Sequence, residues 1–251
     1  MSSSPRSDSS NEAGDPVAAY NQLAPYYSHF SKQRAAYLRR VEELIAARIP
    51  AGASSLLDIG AGDGGRALRI ASRSGIARVV LLEPSARMSG EPPSGCEAWR
   101  MRAEDLDVSE VGLRFDVITC LWNVLGHVEG FKKRVRALSV AAQLLSPKGL
   151  LFVDVIHRYN VRSYGIVTTA ARWLADHLAP SDKSGDVKTR WQTSGGEIST
   201  YGHVFTHREM EHLAQSAGLK CSERMVIDYG TGEVHRTSCM GNLLYVLRFS
   251  C

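Results

Sequence analysis

The sequence feature that most constrains the fold is a glycine-rich corner at residues 60–65 (Gly-Ala-Gly-Asp-Gly-Gly). It follows the short apolar run 56–59 (Leu-Leu-Asp-Ile) and precedes a stretch with helical character, 66–73. Glycines let the backbone turn sharply and let a ligand approach where a Cβ would clash. The unpaired N–H groups of the first helical turn then face that ligand. We therefore expect a nucleotide-binding corner of the strand–turn–helix type.

The glycine spacing by itself leaves the ligand open. Gly60, Gly62 and Gly65 match the G-x-G-x-x-G spacing of dinucleotide sites, whereas Gly60, Gly62 and Gly64 match the tighter spacing G-x-G-x-G. Two ligand classes use such a corner, namely dinucleotides such as NAD and S-adenosylmethionine (SAM). A second signal is Glu83, which ends the next apolar run. An acid at the tip of the second strand can accept hydrogen bonds from both ribose hydroxyls.

Strands and helices alternate along the chain, which is typical of a doubly wound α/β fold. The run Leu150–Val155 is almost continuously apolar, as in parallel strands covered by helices on both faces. We predict a mostly parallel sheet of seven strands with an antiparallel last strand and helices on both faces. The predicted strands are 55–59, 77–82, 97–101, 115–120, 150–155, 220–228 and 243–249.

Composition divides the chain into a short tail and one domain. Residues 1–15 are Ser-rich and nearly without apolar side chains, so a disordered tail is expected there. Residues 16–251 are predicted to form one domain, in which 16–50 provide a helical lead-in or cap. Residues 156–205 interrupt the alternation. They are predicted to be an acceptor-side insertion, a helix followed by a polar loop over 179–199.

Charge and cysteine content exclude several classes of protein. The net charge is +4 with acids and bases mixed along the chain, which argues against a nucleic-acid partner. The basic cluster at 132–136 is predicted to be the solvated face of a helix. The five cysteines are odd in number and lack C-x-x-C spacing, which argues against disulfides and metal sites. A cytoplasmic monomer or homodimer without membrane contact is expected.

Further motifs follow the glycine corner in a fixed order. They are Leu57–Gly64, Leu82–Ser85, Ala103–Leu106, Phe115–Ile118, His127–Val128 and Leu145–Leu150, preceded by an aromatic lead-in at 20–27. The ordered set resembles the class I SAM-dependent methyltransferases, over roughly the stretch from Tyr20 to Val155. The resemblance implies a Rossmann-like fold, SAM as the cofactor and methyl transfer as the activity.

The resemblance also implies which residues of this chain bind SAM. Those of the glycine corner would contact its methionine portion, Glu83 its ribose hydroxyls, and Ala103 and Glu104 its adenine. Leu121 and Trp122 would line the transfer path, and two tyrosines of the lead-in would close over the cofactor. The implied cofactor-binding residues are Tyr20, Tyr27, Asp58, Gly60, Ala61, Gly62, Glu83, Pro84, Ala103, Glu104, Leu121 and Trp122.

One position departs from the family pattern. The family usually has an acid immediately before the Ala of the third motif, where it accepts a hydrogen bond from the adenine amino group. This chain has Arg102 there. Either Glu104 or Asp105 replaces that acid, or adenine is held mostly by packing.

A catalytic base is expected only for some acceptors. Methyl transfer is an in-line displacement on an activated methyl group, so the protein mainly positions the acceptor. A base helps where the acceptor is a hydroxyl or a protonated amine. We favour His157 and Tyr159, which follow the fifth strand at the end where parallel sheets place ligand crevices. The remaining candidates are His127, expected to be structural, and Asp154, His203 and His207.

The sequence therefore predicts an enzyme that transfers a methyl group from SAM to a small molecule, leaving S-adenosylhomocysteine. Tyr164, Trp173, Trp191 and Tyr201 of the insertion favour an acceptor with apolar or aromatic parts. The alternatives are methylation of RNA or protein, an NAD-dependent oxidoreductase and a non-catalytic SAM-binding module. The oxidoreductase would need a pair such as Tyr-x-x-x-Lys after the fifth strand, and the segment 157–163 lacks the Lys.

Overall fold

A computed structural model describes residues 14–250, and eight of the ten strands in that part of the chain belong to one mixed β-sheet. The strands are β1 (Ser55–Ile59), β2 (Arg78–Leu82), β3 (Cys96–Trp99), β4 (Phe115–Cys120), β5 (Leu145–Val155), β6 (Asp186–Thr193), β7 (Gly196–His203), β8 (Leu219–Ile227), β9 (Val234–His235) and β10 (Asn242–Phe249). The helices are α1 (Pro16–Leu23), α2 (Tyr27–Gln33), α3 (Ala35–Ala46), α4 (Gly65–Ser74), α5 (Ala86–Ser89), α6 (Phe131–Leu144), α7 (Val161–Tyr164), α8 (Ile166–Leu178) and α9 (His207–Ser216).

The main sheet has eight strands in the order β3-β2-β1-β4-β5-β10-β8-β9. Strands β1 to β5 pair in parallel, and β10 runs antiparallel to both β5 and β8. This confirms the doubly wound α/β class and the antiparallel last strand. The count is eight rather than seven, because the two-residue strand β9 adds an edge beside β8.

Two hydrophobic layers cover the sheet, as the alternation of side chains along a strand requires. The consecutive residues Leu56 and Leu57 of β1 are both fully buried, yet they belong to different layers. Leu56 packs with residues of α3 and α4, and Leu57 packs with residues of α6 and α9. The sheet is therefore buried on both faces, and its carboxyl edge is left to hold a ligand.

The polar loop predicted over 179–199 is wrong, because most of this segment forms the β6–β7 hairpin with the two-residue turn 194–195. Exposed and half-buried residues alternate along the whole of β6. The sequence carries that period of two, with Val187, Thr189 and Trp191 between charged or polar residues. The insertion therefore contains α7, α8 and a hairpin rather than helix and loop alone.

The basic cluster at 132–136 is only partly a solvated helix face. Arg134 is fully buried, and its Nε donates to the carbonyl oxygen of Val128 at 3.0 Å. Its guanidinium also lies 3.5 Å from the carboxylates of Asp186 in β6 and Glu209 in α9. Arg134 thus fastens the hairpin to two helices of the domain.

Residues 1–13 of the predicted tail lie outside the described residues. The last two residues assigned to the tail instead contact the domain. The Thr200 hydroxyl donates to the Gly14 carbonyl at 2.8 Å, and the Asp15 carboxylate caps α1 by accepting from the Ala18 N–H at 3.1 Å. Within 14–250 no helix is both long and apolar enough to cross a membrane, and no three metal-ligating side chains converge.

Candidate functional site

A cleft of about 990 Å³, partly open to solvent, lies at the carboxyl ends of β1, β2 and β4. Parallel sheets bind ligands at this edge. Ten of the twelve residues assigned to the cofactor line the cleft; the two exceptions are Asp58 and Ala61. The ten are Tyr20, Tyr27, Gly60, Gly62, Glu83, Pro84, Ala103, Glu104, Leu121 and Trp122.

The backbone of the glycine corner resolves the ambiguous spacing. Gly60, Gly62 and Gly64 adopt φ values of +69°, +57° and +75°, in the left-handed region that favours glycine. Gly65 is not among the residues with positive φ and begins α4. A Cβ on Gly60 would lie 2.4 Å from a methyl carbon of Val124. The conformation therefore depends on G-x-G-x-G, and Gly65 is not required for it.

The Glu83 carboxylate is oriented by backbone groups from both strand ends. One oxygen accepts from the Gly62 N–H at 3.0 Å, and the other accepts from the Ser85 N–H at 2.8 Å. Burial raises the pKa of Glu83, and these two N–H groups oppose the rise. Each oxygen keeps a lone pair for a further donor. The carboxylate is therefore fixed in place to receive a pair of hydroxyls.

Asp58 lies beneath the cleft rather than in its wall. It is fully buried, accepts from the Thr119 hydroxyl at 2.6 Å, and pairs with the Arg66 guanidinium at 3.2 Å. Arg66 itself lines the cleft, as well as a polar cleft of about 830 Å³ on the other side of the glycine corner, where Ala61 lies. Asp58 thus positions a cation at the site and is not itself part of the cleft wall.

The 3₁₀ turn 103–105 forms another wall of the cleft. Ala103 is buried, Glu104 is half-buried and lines the cleft, and Asp105 is exposed and does not line it. The Arg102 guanidinium forms an ion pair with Asp15, the residue that caps α1. The family's usual acid is therefore replaced by a cation that holds the lead-in helix, and Glu104 is the nearby acid that faces the cleft.

Aromatic side chains from three separate segments meet at the cleft, and all but Trp191 line it. The ring centroid of Tyr20 lies 6.3 Å from Tyr27, 5.1 Å from His127 and 5.6 Å from Trp191 of the hairpin. Tyr27 in turn lies 5.3 Å from Trp122. We call these five residues the aromatic cluster. Its edge-to-face and tilted contacts hold α1 and the hairpin over the carboxyl edge of the sheet.

His127 has a defined hydrogen-bond pattern within this cluster. Its Nδ1 lies 2.9 Å from the carbonyl oxygen of Tyr201, and its Nε2 lies 2.9 Å from the Tyr20 hydroxyl. A carbonyl oxygen only accepts, so this pattern assigns the proton to Nδ1 and lets the Tyr20 hydroxyl donate to Nε2. Burial lowers the pKa of His127, which favours the neutral ring.

The backbone after β4 is strained where it meets the cleft. Trp122 and Asn123 have φ values of +59° and +61°, which side chains other than glycine rarely adopt. The Trp122 N–H donates to the buried Asp154 carboxylate at 3.0 Å, and the Asn123 amide donates to the His203 carbonyl at 3.1 Å. Burial raises the pKa of Asp154 to about 6. The Tyr37 hydroxyl and the Trp122 N–H donate to this carboxylate and limit the rise. These bonds aim the Trp122 ring into the cleft.

His157 and Tyr159 lie outside the cleft, unlike the sequence-based expectation for the acceptor side. His157 is only 1% exposed, and its ring packs 5.0 Å from His207. The Tyr159 hydroxyl donates to Asp176 at 2.6 Å. The reason is that the chain leaves β5 toward α9 instead of into the crevice, since the Arg158 N–H pairs with the Phe205 carbonyl.

A family model described as a methyltransferase domain matches residues 30–224. The chain belongs to this methyltransferase family. The match confirms the family expected from the ordered motifs. No curated protein sequence matches the chain.

Solved methyltransferase structures share the fold at low sequence identity. The CcbJ methyltransferase from Streptomyces caelestis is 18% identical, with 84% of this chain and 89% of that chain covered and a TM-score of 0.62. CalS10, an amino pentose methyltransferase from Micromonospora echinaspora, is 18% identical, with 90% and 97% covered and a TM-score of 0.59. The 1,6-didemethyltoxoflavin-N1-methyltransferase from Burkholderia thailandensis is 17% identical, with 94% and 88% covered and a TM-score of 0.59.

Sequence reasoning missed several residues of this methyltransferase cleft, above all Arg66 and the role of His127. The position of Arg66 in the sequence indicated a role. A cation in the first turn of a helix is repelled by the helix dipole, so a nearby carboxylate is expected to compensate for it. The contacts of His127 had no such local signal. Its partners Tyr20 and Tyr201 are 107 and 74 residues away along the chain.

Proposed function

We propose that this methyltransferase transfers a methyl group from SAM to a small-molecule acceptor with apolar or aromatic parts. The observation that carries the proposal is the Glu83 carboxylate, which is fixed by the Gly62 and Ser85 N–H groups in the same cleft as the glycine corner. A carboxylate in this place suits the vicinal hydroxyls of a ribose.

The residues present fit SAM on grounds of geometry and charge. The positive φ values and close contacts of Gly60 and Gly62 leave a backbone surface without Cβ atoms. Arg66 offers a cation beside that surface for a carboxylate such as that of the methionine portion. Ala103 and the apolar side chains that line the cleft beside it offer a surface for a flat ring. In SAM the ribose joins the methionine portion to the adenine, and the proposal accordingly assigns Glu83 to the middle of the cofactor.

When bound, SAM would supply a methyl group already activated by the adjacent sulfonium. The protein's own contribution is then to exclude water and to align the acceptor. The aromatic cluster closes the cleft from α1, the β4 loop and the hairpin. Aromatic faces also stabilise a nearby cation, so these rings suit a charged sulfur at this place.

His127 replaces His157 as the proposed acceptor-side base. It borders the cleft, and its Nε2 faces the Tyr20 hydroxyl while its Nδ1–H is held by a carbonyl. A neutral imidazole so oriented can accept a proton from a hydroxyl or an ammonium group through the Tyr20 hydroxyl, which passes its own proton to Nε2 and takes the proton of the acceptor. Small-molecule acceptors are further supported by two structural neighbours, which are named as methyltransferases of an amino pentose and of 1,6-didemethyltoxoflavin.

Calorimetric titration with SAM and, separately, with NADH tests the cofactor. We expect heat of binding with SAM alone. Glu83→Ala should weaken SAM binding by about 1.5–3 kcal/mol, the scale for hydrogen bonds to a charged group. The matched control is Glu91→Ala, which removes an exposed carboxylate away from the cleft. Binding of NADH without SAM, or equal affinities of the two variants for SAM, would refute the proposal.

A further inference from the structure

A further pocket, of about 1000 Å³ and separate from the two clefts described above, lies on the other side of the Trp122–Tyr229 contact. Its walls come from the junction of α2 and α3 at Arg34, the carboxyl end of β5, α7 and the turn that follows β8. Tyr164 and Tyr229 supply aromatic surface, and the buried Asn242 supplies an amide. We call it the lateral pocket.

The lateral pocket carries an excess of positive charge. Arg162 forms an ion pair with Asp228 at 2.6 Å. The other oxygen of Asp228 accepts from the N–H groups of Gly230 and Thr231 at 2.9 and 2.7 Å, so this carboxylate is fully engaged. Arg34 is the second cation, and within residues 14–250 its guanidinium makes no ion pair with a carboxylate. One arginine of the pocket therefore has its charge uncompensated.

The Arg34 guanidinium is also held in a fixed orientation. It lies 4.4 Å from the centroid of the Tyr229 ring, in a cation–π contact. The guanidinium carries five N–H groups, so those not directed at the Tyr229 hydroxyl remain to match the two oxygens of a carboxylate or phosphate. A stacked arginine loses less conformational freedom on binding an anion than a solvated one does.

The lateral pocket borders the place where the transfer would occur. The Tyr229 ring that supports Arg34 receives a hydrogen bond at its hydroxyl from Trp122 Nε1 at 3.0 Å. Trp122 lines the cofactor cleft. The Trp122–Tyr229 pair is thus the partition between the two spaces. A molecule seated in the lateral pocket would reach the aromatic cluster past this pair.

We infer that the lateral pocket binds an anionic oxygen group, a carboxylate or a phosphate, carried by the methyl acceptor, with Arg34 as its main partner. This rests on the proposed function, since it treats the two spaces as parts of one active site. The acceptor then has an anionic end on Arg34 and an apolar or aromatic part beside Tyr229 and Trp122. The nucleophilic atom lies beyond that part, toward the cofactor cleft.

The test uses the full chain saturated with S-adenosylhomocysteine and two probes, inorganic phosphate and benzoate. The indole N–H resonances of the four tryptophans are followed by two-dimensional NMR, and that of Trp122 is assigned from Trp122→Phe. A chloride salt is used to keep the ionic strength the same at every probe concentration. We expect at least one probe to shift the Trp122 resonance saturably in the millimolar range. Phosphate and benzoate identify which anion the pocket prefers.

Arg34→Met should weaken that binding about 5-fold or more, because the charged partner is lost. Arg34→Lys should bind with an intermediate affinity, since it keeps the charge and loses the planar fork. Arg39→Met, an exposed position on α3, is the matched control and should bind as the unchanged protein does. Affinity for S-adenosylhomocysteine is measured on every variant, which also shows that each is folded.

No saturable shift with either probe, or equal binding by Arg34→Met and Arg39→Met, would overturn the inference. If S-adenosylhomocysteine still binds in that case, the proposed function stands and only the anionic acceptor is excluded. If S-adenosylhomocysteine fails to bind the unchanged protein, the proposed function fails first.

Discussion

Burial shifts the pKa values of the ionisable residues around the cleft in a direction set by the charge of each ionised form. Glu83 and Asp154 are both carboxylates whose pKa is raised by burial and held back by hydrogen-bond donors, and Asp154 reaches about 6. His127 shifts the other way, because burial disfavours its cationic form and lowers its pKa. At neutral pH His127 is therefore in the form that accepts a proton.

The variant His127→Phe tests the proposed role of this histidine as a base. We expect the rate of S-adenosylhomocysteine formation to fall about 100-fold, the lower end of the contribution of a general base, with little change in SAM affinity. In the unchanged protein the rate should rise with pH as His127 loses its proton. The midpoint of that rise should lie below pH 6.5, the ordinary pKa of a histidine, because burial lowers the pKa of His127. That rise should be absent from the variant.

The exposed His29 provides the control, since His29→Phe changes a histidine on α2 outside the cleft. An unchanged rate in His127→Phe would leave positioning alone as the contribution of the protein.

The location of a single residue in the cleft was predictable where the residue directly follows a strand of the parallel sheet. Glu83 and the glycines directly follow β2 and β1, so the sequence position determines the side of the sheet that they reach. His157 failed the same reasoning, because the chain turns toward α9 and buries the ring against His207. His127 could not be chosen from sequence, since its meaning depends on Tyr20 and Tyr201, which only the fold brings to it.

Among the elements, α4 shows how the corner and its helix depend on one another. Glycines with positive φ flank it at both ends, Gly64 at +75° and Gly75 at +68°. Their surroundings differ. A Cβ on Gly64 would lie 2.5 Å from Leu81 Cδ1, whereas one on Gly75 would meet no atom within 4 Å.

Gly64→Ala and Gly75→Ala form a matched pair that tests this difference. Both impose a left-handed conformation on alanine, which costs about 1–2 kcal/mol. Gly64→Ala should lose a further 1–3 kcal/mol or so of unfolding free energy through overpacking against β2. Chemical denaturation of the two variants measures the difference. Equal losses would mean that Leu81 moves aside and that the corner has more room than the contacts indicate.

The elements divide in the same way between what sequence determines and what it leaves open. The buried strands and amphipathic helices were predictable, because their apolar periods state which faces are covered. The β6–β7 hairpin was not predicted, because its many polar residues are typical of a loop. Its contacts with Arg134 and Tyr20, which lie far away in sequence, hold it in place. Its existence had a local signal, but its position over the cleft had none.

The buried His157 and the half-buried His207 make the stability of the protein depend on pH. Burial lowers the pKa of both His157 and His207 to about 4, below the ordinary value of 6.5. Between these values the unfolded chain binds more protons than the folded protein. Their contribution to the unfolding free energy is therefore full above pH 6.5 and is lost as the pH falls toward 4.

His157→Phe should reduce the slope of unfolding free energy against pH in that window by up to about 1.4 kcal/mol per pH unit, the value for one proton. Asp154 acts in the opposite sense, because its raised pKa makes stability fall as the pH rises toward 6. That contribution is common to both proteins and cancels in the comparison. Denaturation at several pH values measures the slopes, with His29→Phe as the control. Parallel curves for His157→Phe and the unchanged protein would contradict the assignment.

The strand order of the sheet also determines which strands can pair before synthesis of the chain is complete. Strand β10 lies between β5 and β8, although β8 and β9 precede it in the chain. While the ribosome is still making β10, β8 has only the two-residue β9 as a neighbour and no connection to β5. The edges of β5 and β8 that later pair with β10 remain without a neighbouring strand during that interval. The sheet edge beside β5 is therefore the last to be paired, and it is the edge at which the nascent chain is exposed longest to incorrect strand pairing.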